Sequence, residues 1–163
     1  RYTDSLVHQI IETSMSQNHP GPGQGSAFSP DLSSIREFFK GDRFARHSAI
    51  ELVDLAPGYA RAKMDLQSFH HNGVGIVHGG AIFTLADFAF AVASNSHATL
   101  AVAINATISI VKATTEGVLW AEAREVSRSY RLGTYSVEVK NEVGELIALF
   151  QGTVYRKGDP LPL

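Results

Sequence analysis

Cysteine is absent from all 163 residues. That excludes disulfide scaffolds, thiolate metal sites and cysteine nucleophiles together. Positive charge is scarce too: 14 Lys and Arg stand against 16 Asp and Glu. A nucleic-acid backbone, bound through counterion release, therefore finds little to hold it, and no nucleic-acid partner is expected. No stretch has the ~20 apolar residues of a membrane span. The longest largely apolar run, Ala81 to Ala93, is too short and carries Asp87 in its middle. The first residues lack the basic, apolar and small-residue pattern of a secretory signal. The expectation is a protein without a membrane partner, placed in the cytoplasm.

Against these absences, 44% hydrophobic and 18% charged residues are globular proportions, enough to bury a core in a chain of this length. Leu6, Val7, Ile10, Ile11 and Met15 fall at helical spacing, and Asn18 to Gly25 is too rich in Gly and Pro for regular structure. Residues 1–30 are read as an arm, 31–157 as the domain and 158–163 as a tail. Asp31 or Ser33 can cap a helix through Lys40, with Glu37 supporting the cap and Gly41 ending it.

Pro57-Gly58 suits a type II turn between Ile50–Ala56 and Tyr59–Gln67. In the second segment Ala60, Ala62, Met64 and Leu66 alternate with Arg61, Lys63, Asp65 and Gln67, the mark of a half-buried strand. A Gly-rich loop from His70 to Gly80 then feeds a helix to Asn95 that is apolar nearly all round, and such a helix must be buried. Four strand-like segments follow: Val102–Ile110, Val118–Val126, Thr134–Lys140 and Leu146–Arg156. Two strands, one greasy helix and four strands predict an α+β fold, an antiparallel sheet of five to six strands wrapped around one long central helix.

Asp87 is the only charged residue between Gly80 and Asn95. An unpaired carboxylate in such a helix costs several kcal/mol, so something must offset it. The pattern leaves two readings open: a structural carboxylate bonded to a neighbouring strand, or a general base or nucleophile facing a cleft. Gly79 and Gly80 lie where the first helical N–H groups have no internal partner, the raw material of an oxyanion hole. A tight entry turn explains two glycines equally well. Asn72 suits either a turn or an amide donor to a carbonyl or water. His78 suits a loop-holding role. His70, His71 and His78 lack a ligand spacing, so no metal is expected. Gly80 and Asp87 share a helix face but lie ~10 Å apart along its axis, which points to a site shared across a two-fold dimer.

The run Asn72, His78-Gly79-Gly80 and Asp87, with Ala89-Phe90-Ala91, Asn95-Ser96, Gly133 to Val139 and Ile147 to Arg156, resembles the signature of the PaaI-type hotdog-fold thioesterases. The resemblance spans about Phe38 to Lys157 and implies hydrolysis of acyl-CoA thioesters, aryl-acetyl or similar, by homodimers or dimers of dimers. It needs no cofactor, CoA being part of the substrate. It implies Asp87 as the activating or attacking carboxylate and the Gly79 amide, with Gly80, as carbonyl polariser. Asn72 would place the carbonyl or water, and His78 would support the loop. Asn105 would touch the water, and Lys112, Arg128 and Arg131 would meet CoA phosphates. Phe83, Leu85, Phe88, Phe90 and partner-chain residues would shape the acyl pocket. The sequence departs from the family in its long arm and in 112–117, which lacks a Pro often found there. Alternatives to hydrolysis are a non-catalytic acyl-CoA sensor and a hotdog hydratase or dehydratase recruiting His78.

Overall fold

A computed structural model describes residues 31–163; the arm expected over 1–30 lies outside the described residues. The described part starts with a capped helix, α1 (Leu32–Lys40). Asp31 accepts from the Ser33 amide at 3.0 Å and from the Ser33 and Ser34 hydroxyls at 2.6 Å. Those donors, led by the Ser33 hydroxyl, hold its carboxyl down at about 2. Glu37 does not serve the cap; it pairs with Lys40 at 2.6 Å. Gly41 ends the helix as expected, and a second short helix, α2 (Arg43–His47), follows with Asp42 as its cap.

Strands β1 (Ile50–Ala56) and β2 (Tyr59–Asp65) form the antiparallel hairpin, with Gly58 at φ +71° in the turn. Ala60, Ala62 and Met64 are fully buried, as the alternation required. A single 3-10 turn (Ser68–His70) and the Gly-rich loop lead to α3 (Gly79–Asn95). Strands β3 (Thr99–Ile110), β4 (Val118–Arg128), β5 (Leu132–Asn141) and β6 (Leu146–Pro160) complete one six-stranded sheet in the order β1-β2-β4-β5-β6-β3. Every pairing is antiparallel.

Helix α3 lies against one face of this sheet and buries Ile82, Leu85, Ala86, Phe88, Ala89, Phe90, Val92 and Ala93. Each large side chain so buried contributes about 1.5–3 kcal/mol. Small sheet residues, Ala60, Ala62, Ala121 and Ala123, let the helix approach closely. At Gly152 a Cβ would sit 2.6 Å from the Phe90 ring, so glycine is required there. The helix is pinned at its far end by polar groups. Buried Asn95 accepts from the Ala101 amide at 2.9 Å, and the Ser96 hydroxyl accepts from the Gly58 amide at 2.7 Å.

The expected boundary at 157 moves outward. Strand β6 continues to Pro160, which pairs with Thr99, and the Leu161 amide donates to Ala98 O at 2.9 Å while its side chain is buried.

Candidate active site

The start of α3 is built by His78. Its Nδ1 accepts from the Gly80 amide at 2.8 Å, so the neutral ring carries its proton on Nε2. Its carbonyl accepts from Ala81 at 2.9 Å and from Ile82 at 3.3 Å. The Gly80 amide, expected as a second oxyanion donor, is therefore occupied by the cap. The Gly79 amide has no acceptor among the described residues. Both glycines have steric reasons: a Cβ on Gly80 would lie 3.0 Å from His78 Nδ1, and one on Gly79 would lie 3.1 Å from Ile110 Cδ1.

Asn72 shapes the loop before the helix. Its Oδ1 accepts from the amides of Val74 at 3.0 Å and Ile76 at 3.3 Å, a turn completed by Gly75 at φ +80°. No hydrogen bond involves Asn72 Nδ2 among the described residues. The 112–117 segment, despite lacking the Pro, clasps this loop: Thr114 O accepts from Val77 N at 2.9 Å, and Thr115 O lies 2.6 Å from His71 Nε2.

Asp87 is half-buried on the same helix face as Gly80 and Thr84, with no hydrogen-bond or ion-pair partner among the described residues. The structural reading, a bond to a neighbouring strand, finds no strand partner here. Burial pushes its carboxyl above the ordinary value, and the negative charge of Asp42 raises it further. Gly79 and Asp87 are separated by about 12 Å of helix rise, so the two do not meet within one chain. A cavity of about 680 Å³ opens at the Gly80 end, lined by His78, Gly80, Ala81 and Thr84 on one side and by Phe44, His47 and Phe69 on the other.

The remaining expected residues divide by place. Lys112 lies two residues beyond the Gly79 neighbour Ile110, but its amine is engaged by Glu145 at 2.6 Å. Arg128 and Arg131 belong to the β4–β5 turn at the opposite end of the molecule, where the C-terminal end of α3 sits. There Arg128 donates to Glu125 at 3.1 Å and Arg131 to the Tyr155 hydroxyl. The structure does not bring them to the Gly79 end of this chain. Asn105 is exposed on the edge strand β3 at a register shift. Leu85, Phe88 and Phe90 are core, and Phe83 packs on Phe150 at 5.5 Å; the open aromatic surface beside the helix start is Phe44 and Phe69.

Sequence reasoning missed α2 with its Phe44 and His47, as well as the role of His70. Asp42 was a cap signal, but one turn and a half of helix is too short for periodicity to register. His70 is buried; its Nδ1 accepts from Gln67 N at 2.9 Å and its Nε2 donates to Ser48 O at 3.0 Å. Its carbonyl accepts from His78 N at 2.7 Å, tying the loop to α2. No cluster of three or more His, Asp or Glu among the described residues is placed to hold a metal.

A sequence profile described as the thioesterase superfamily matches residues 74–148, which span the helix start, α3, strands β3 to β5 and the first residues of β6. The acyl-coenzyme A thioesterase PaaI of Escherichia coli is 33% identical over 121 residues, 74% of this chain and 86% of that protein. The chain belongs to the PaaI-type thioesterases of the hotdog fold. A protein of Archaeoglobus fulgidus, named provisionally as an esterase, is 44% identical over 125 residues, 76% of this thioesterase and 81% of the other. The solved structure of E. coli PaaI superposes with a TM-score of 0.76 at 31% identity, covering 79% of this chain and 94% of that one. Among the described residues of this thioesterase, no helix is long and apolar enough to cross a membrane.

Proposed function

We propose that this thioesterase hydrolyses acyl-CoA thioesters to free acid and CoA at sites shared between two copies of the chain. The observation that carries the reading is a half-buried Asp87 that has no partner among the described residues, on a helix whose first amide, Gly79 N–H, has no acceptor among them either. A thioester carbonyl accepting from the Gly79 amide of one protomer gains polarisation from the positive helix end. Asp87 of the other protomer takes a proton from water as the water oxygen bonds to the carbonyl carbon. The tetrahedral oxyanion rests on the amide, then collapses; the C–S bond breaks and the CoA thiolate leaves with a proton. In the nucleophilic variant Asp87 itself bonds to that carbon, the C–S bond breaks to release the CoA thiolate, and water then cleaves the resulting anhydride. Asn72, through its Nδ2, is the candidate for positioning water or carbonyl. The exposed rings of Phe44 and Phe69 offer apolar contact to an acyl group, which supports aryl-acetyl or similar groups. A cytoplasmic pool of CoA thioesters is the expected setting.

Strand β3 supports the shared site. It is one of the two edges of the sheet, twelve residues long, with neither charge nor proline to guard it and with Val102 and Ile104 exposed. A second copy added along β3 covers that edge, and two such dimers give the tetramer. The test is CoA release from a panel of aryl-acetyl, hydroxybenzoyl and medium-chain thioesters. Asp87→Asn should lower kcat by about 100-fold or more. Full turnover in that variant would remove Asp87 from the mechanism. Turnover in ¹⁸O-water, limited to one cycle, identifies a nucleophile: label found in Asp87 means that Asp87 attacked and water then cleaved the anhydride at the Asp carbonyl.

A further inference from the structure

A second cavity, of about 460 Å³, lies on the other side of α2, between α1, β1 and the Phe88 turn of α3. Its size falls within the range of small-molecule sites. The floor is apolar: Ile50 and Phe88 are buried, Leu52 is half-buried, and Phe39 meets the Phe88 ring edge-on at 6.1 Å. None of these side chains belongs to the helix start or to the cavity that borders it.

The charges around this floor can be accounted for one by one. Arg36 is committed to the backbone, donating to Leu52 O at 2.9 Å and Val53 O at 3.3 Å. Lys40 is held by Glu37 at 2.6 Å. Glu51 faces Lys63 at 3.3 Å. Asp42 caps α2, accepting from Ala45 N at 2.9 Å. Arg46 is exposed on α2 and has no side-chain hydrogen bond or ion pair among the described residues. Three cations and two anions line the cavity, so the wall carries one net positive charge, and the guanidinium without a partner among the described residues is Arg46.

An apolar chamber with one unanswered guanidinium at its wall has a specific complement. A guanidinium takes a carboxylate through two parallel hydrogen bonds, a geometry Lys does not reproduce. We propose that the cavity between α1, α2, β1 and Phe88 binds an amphipathic monocarboxylate, its carbon skeleton on the apolar floor and its carboxylate on Arg46. Such a group has two sources: a free carboxylic acid, or the distal carboxylate of an ω-carboxyacyl chain. The assignment goes beyond thioester hydrolysis and does not require it.

Calorimetry of the full chain with octanoate tests the site, and hydrolysis of octanoyl-CoA against suberyl-CoA, which adds a distal carboxylate, tests the source. Octanoate should bind saturably, Arg46→Ala should weaken it at least tenfold, and Lys40→Ala should leave affinity within twofold. Arg46 is exposed, so unchanged melting of Arg46→Ala shows that the fold is intact, and Arg46→Lys should restore only part of the loss. Arg46-dependent octanoate binding with equal handling of both thioesters assigns the site to free acids. A suberyl-CoA preference abolished by Arg46→Ala assigns it to the acyl chain. Octanoate affinity and thioester preference both indifferent to Arg46, or equal losses in Lys40→Ala and Arg46→Ala, overturn the proposal. If no thioester is cleaved while octanoate still binds through Arg46, the hydrolytic reading falls and this one stands.

Discussion

The one carboxylate of α3 and the capping carboxylate of α2 work against each other. Burial raises Asp87 first and Asp42 raises it further, so the proposed base loses its charge at a higher pH than an ordinary Asp. Activity should fall as pH drops through that raised value, placing the acid limb of kcat above that of an ordinary Asp. Asp42→Asn keeps an N-cap for α2 but removes the repulsion, so it should move the acid limb to lower pH while the effect of burial remains. A pH–rate profile of the two proteins checks the direction. The same burial has a stability consequence. A carboxyl with a raised folded value destabilises the native state above that value and ceases to as pH falls below it. Asp87→Asn should therefore melt at or above the parent at pH 8, with the advantage shrinking in acid. At this scale the sequence exposed Asp87, because one charge in an apolar run is visible without coordinates. It left Gly79 and Gly80 undivided, because what separates them is the direction of one imidazole nitrogen.

Helix α3 depends on a histidine cap at one end and on a glycine across from its middle. His78→Ala removes the acceptor for Gly80 N–H and should cost about 0.5–2 kcal/mol. It should also lower kcat by less than the ~100-fold of a deleted oxyanion donor, because the Gly79 amide survives but loses its fixed direction. His78→Asn, which can still cap, should recover the stability, and melting curves beside kinetics separate the two effects. Gly152→Ala drives a methyl into the Phe90 ring and should cost about 1–3 kcal/mol, read as a lower urea midpoint at unchanged slope. The β1–β2 hairpin and α3 were legible because their alternation and apolar length are strong periodic signals. Strand β3 was legible only in part. Its bulge between Ala103 and Asn105 inverts the inward parity, so buried Ala101 and half-buried Ala106 and Ile108 share the inner face, while Val102 and Ile104 stay exposed. Strand β6 outran its expected end because Gly158, Asp159 and Pro160 carry no strand signal; pairing with β3 overrides propensity there.

For the whole molecule, the exposed β3 edge is the decisive surface. Ile104→Lys puts a charge in the middle of that edge and should convert the proposed dimer or tetramer to monomers, seen by light scattering after gel filtration. If the site is shared, the same change should reduce CoA release at least 100-fold with Asp87 intact. Retained activity in a proven monomer would refute the shared site. The sheet order carries a consequence of another kind. Strands β2 and β3 flank α3 in the chain yet lie apart in the sheet, and among the described strands β3 bonds only to β6, the last of them to be made. During synthesis β3 must wait, with β4 and β5 already emerged, until residues 146–160 leave the ribosome. The nascent protein thus carries an uncovered apolar strand while residues 111–145 are made, so its yield in a cell should depend on chaperones more steeply than its final stability would suggest.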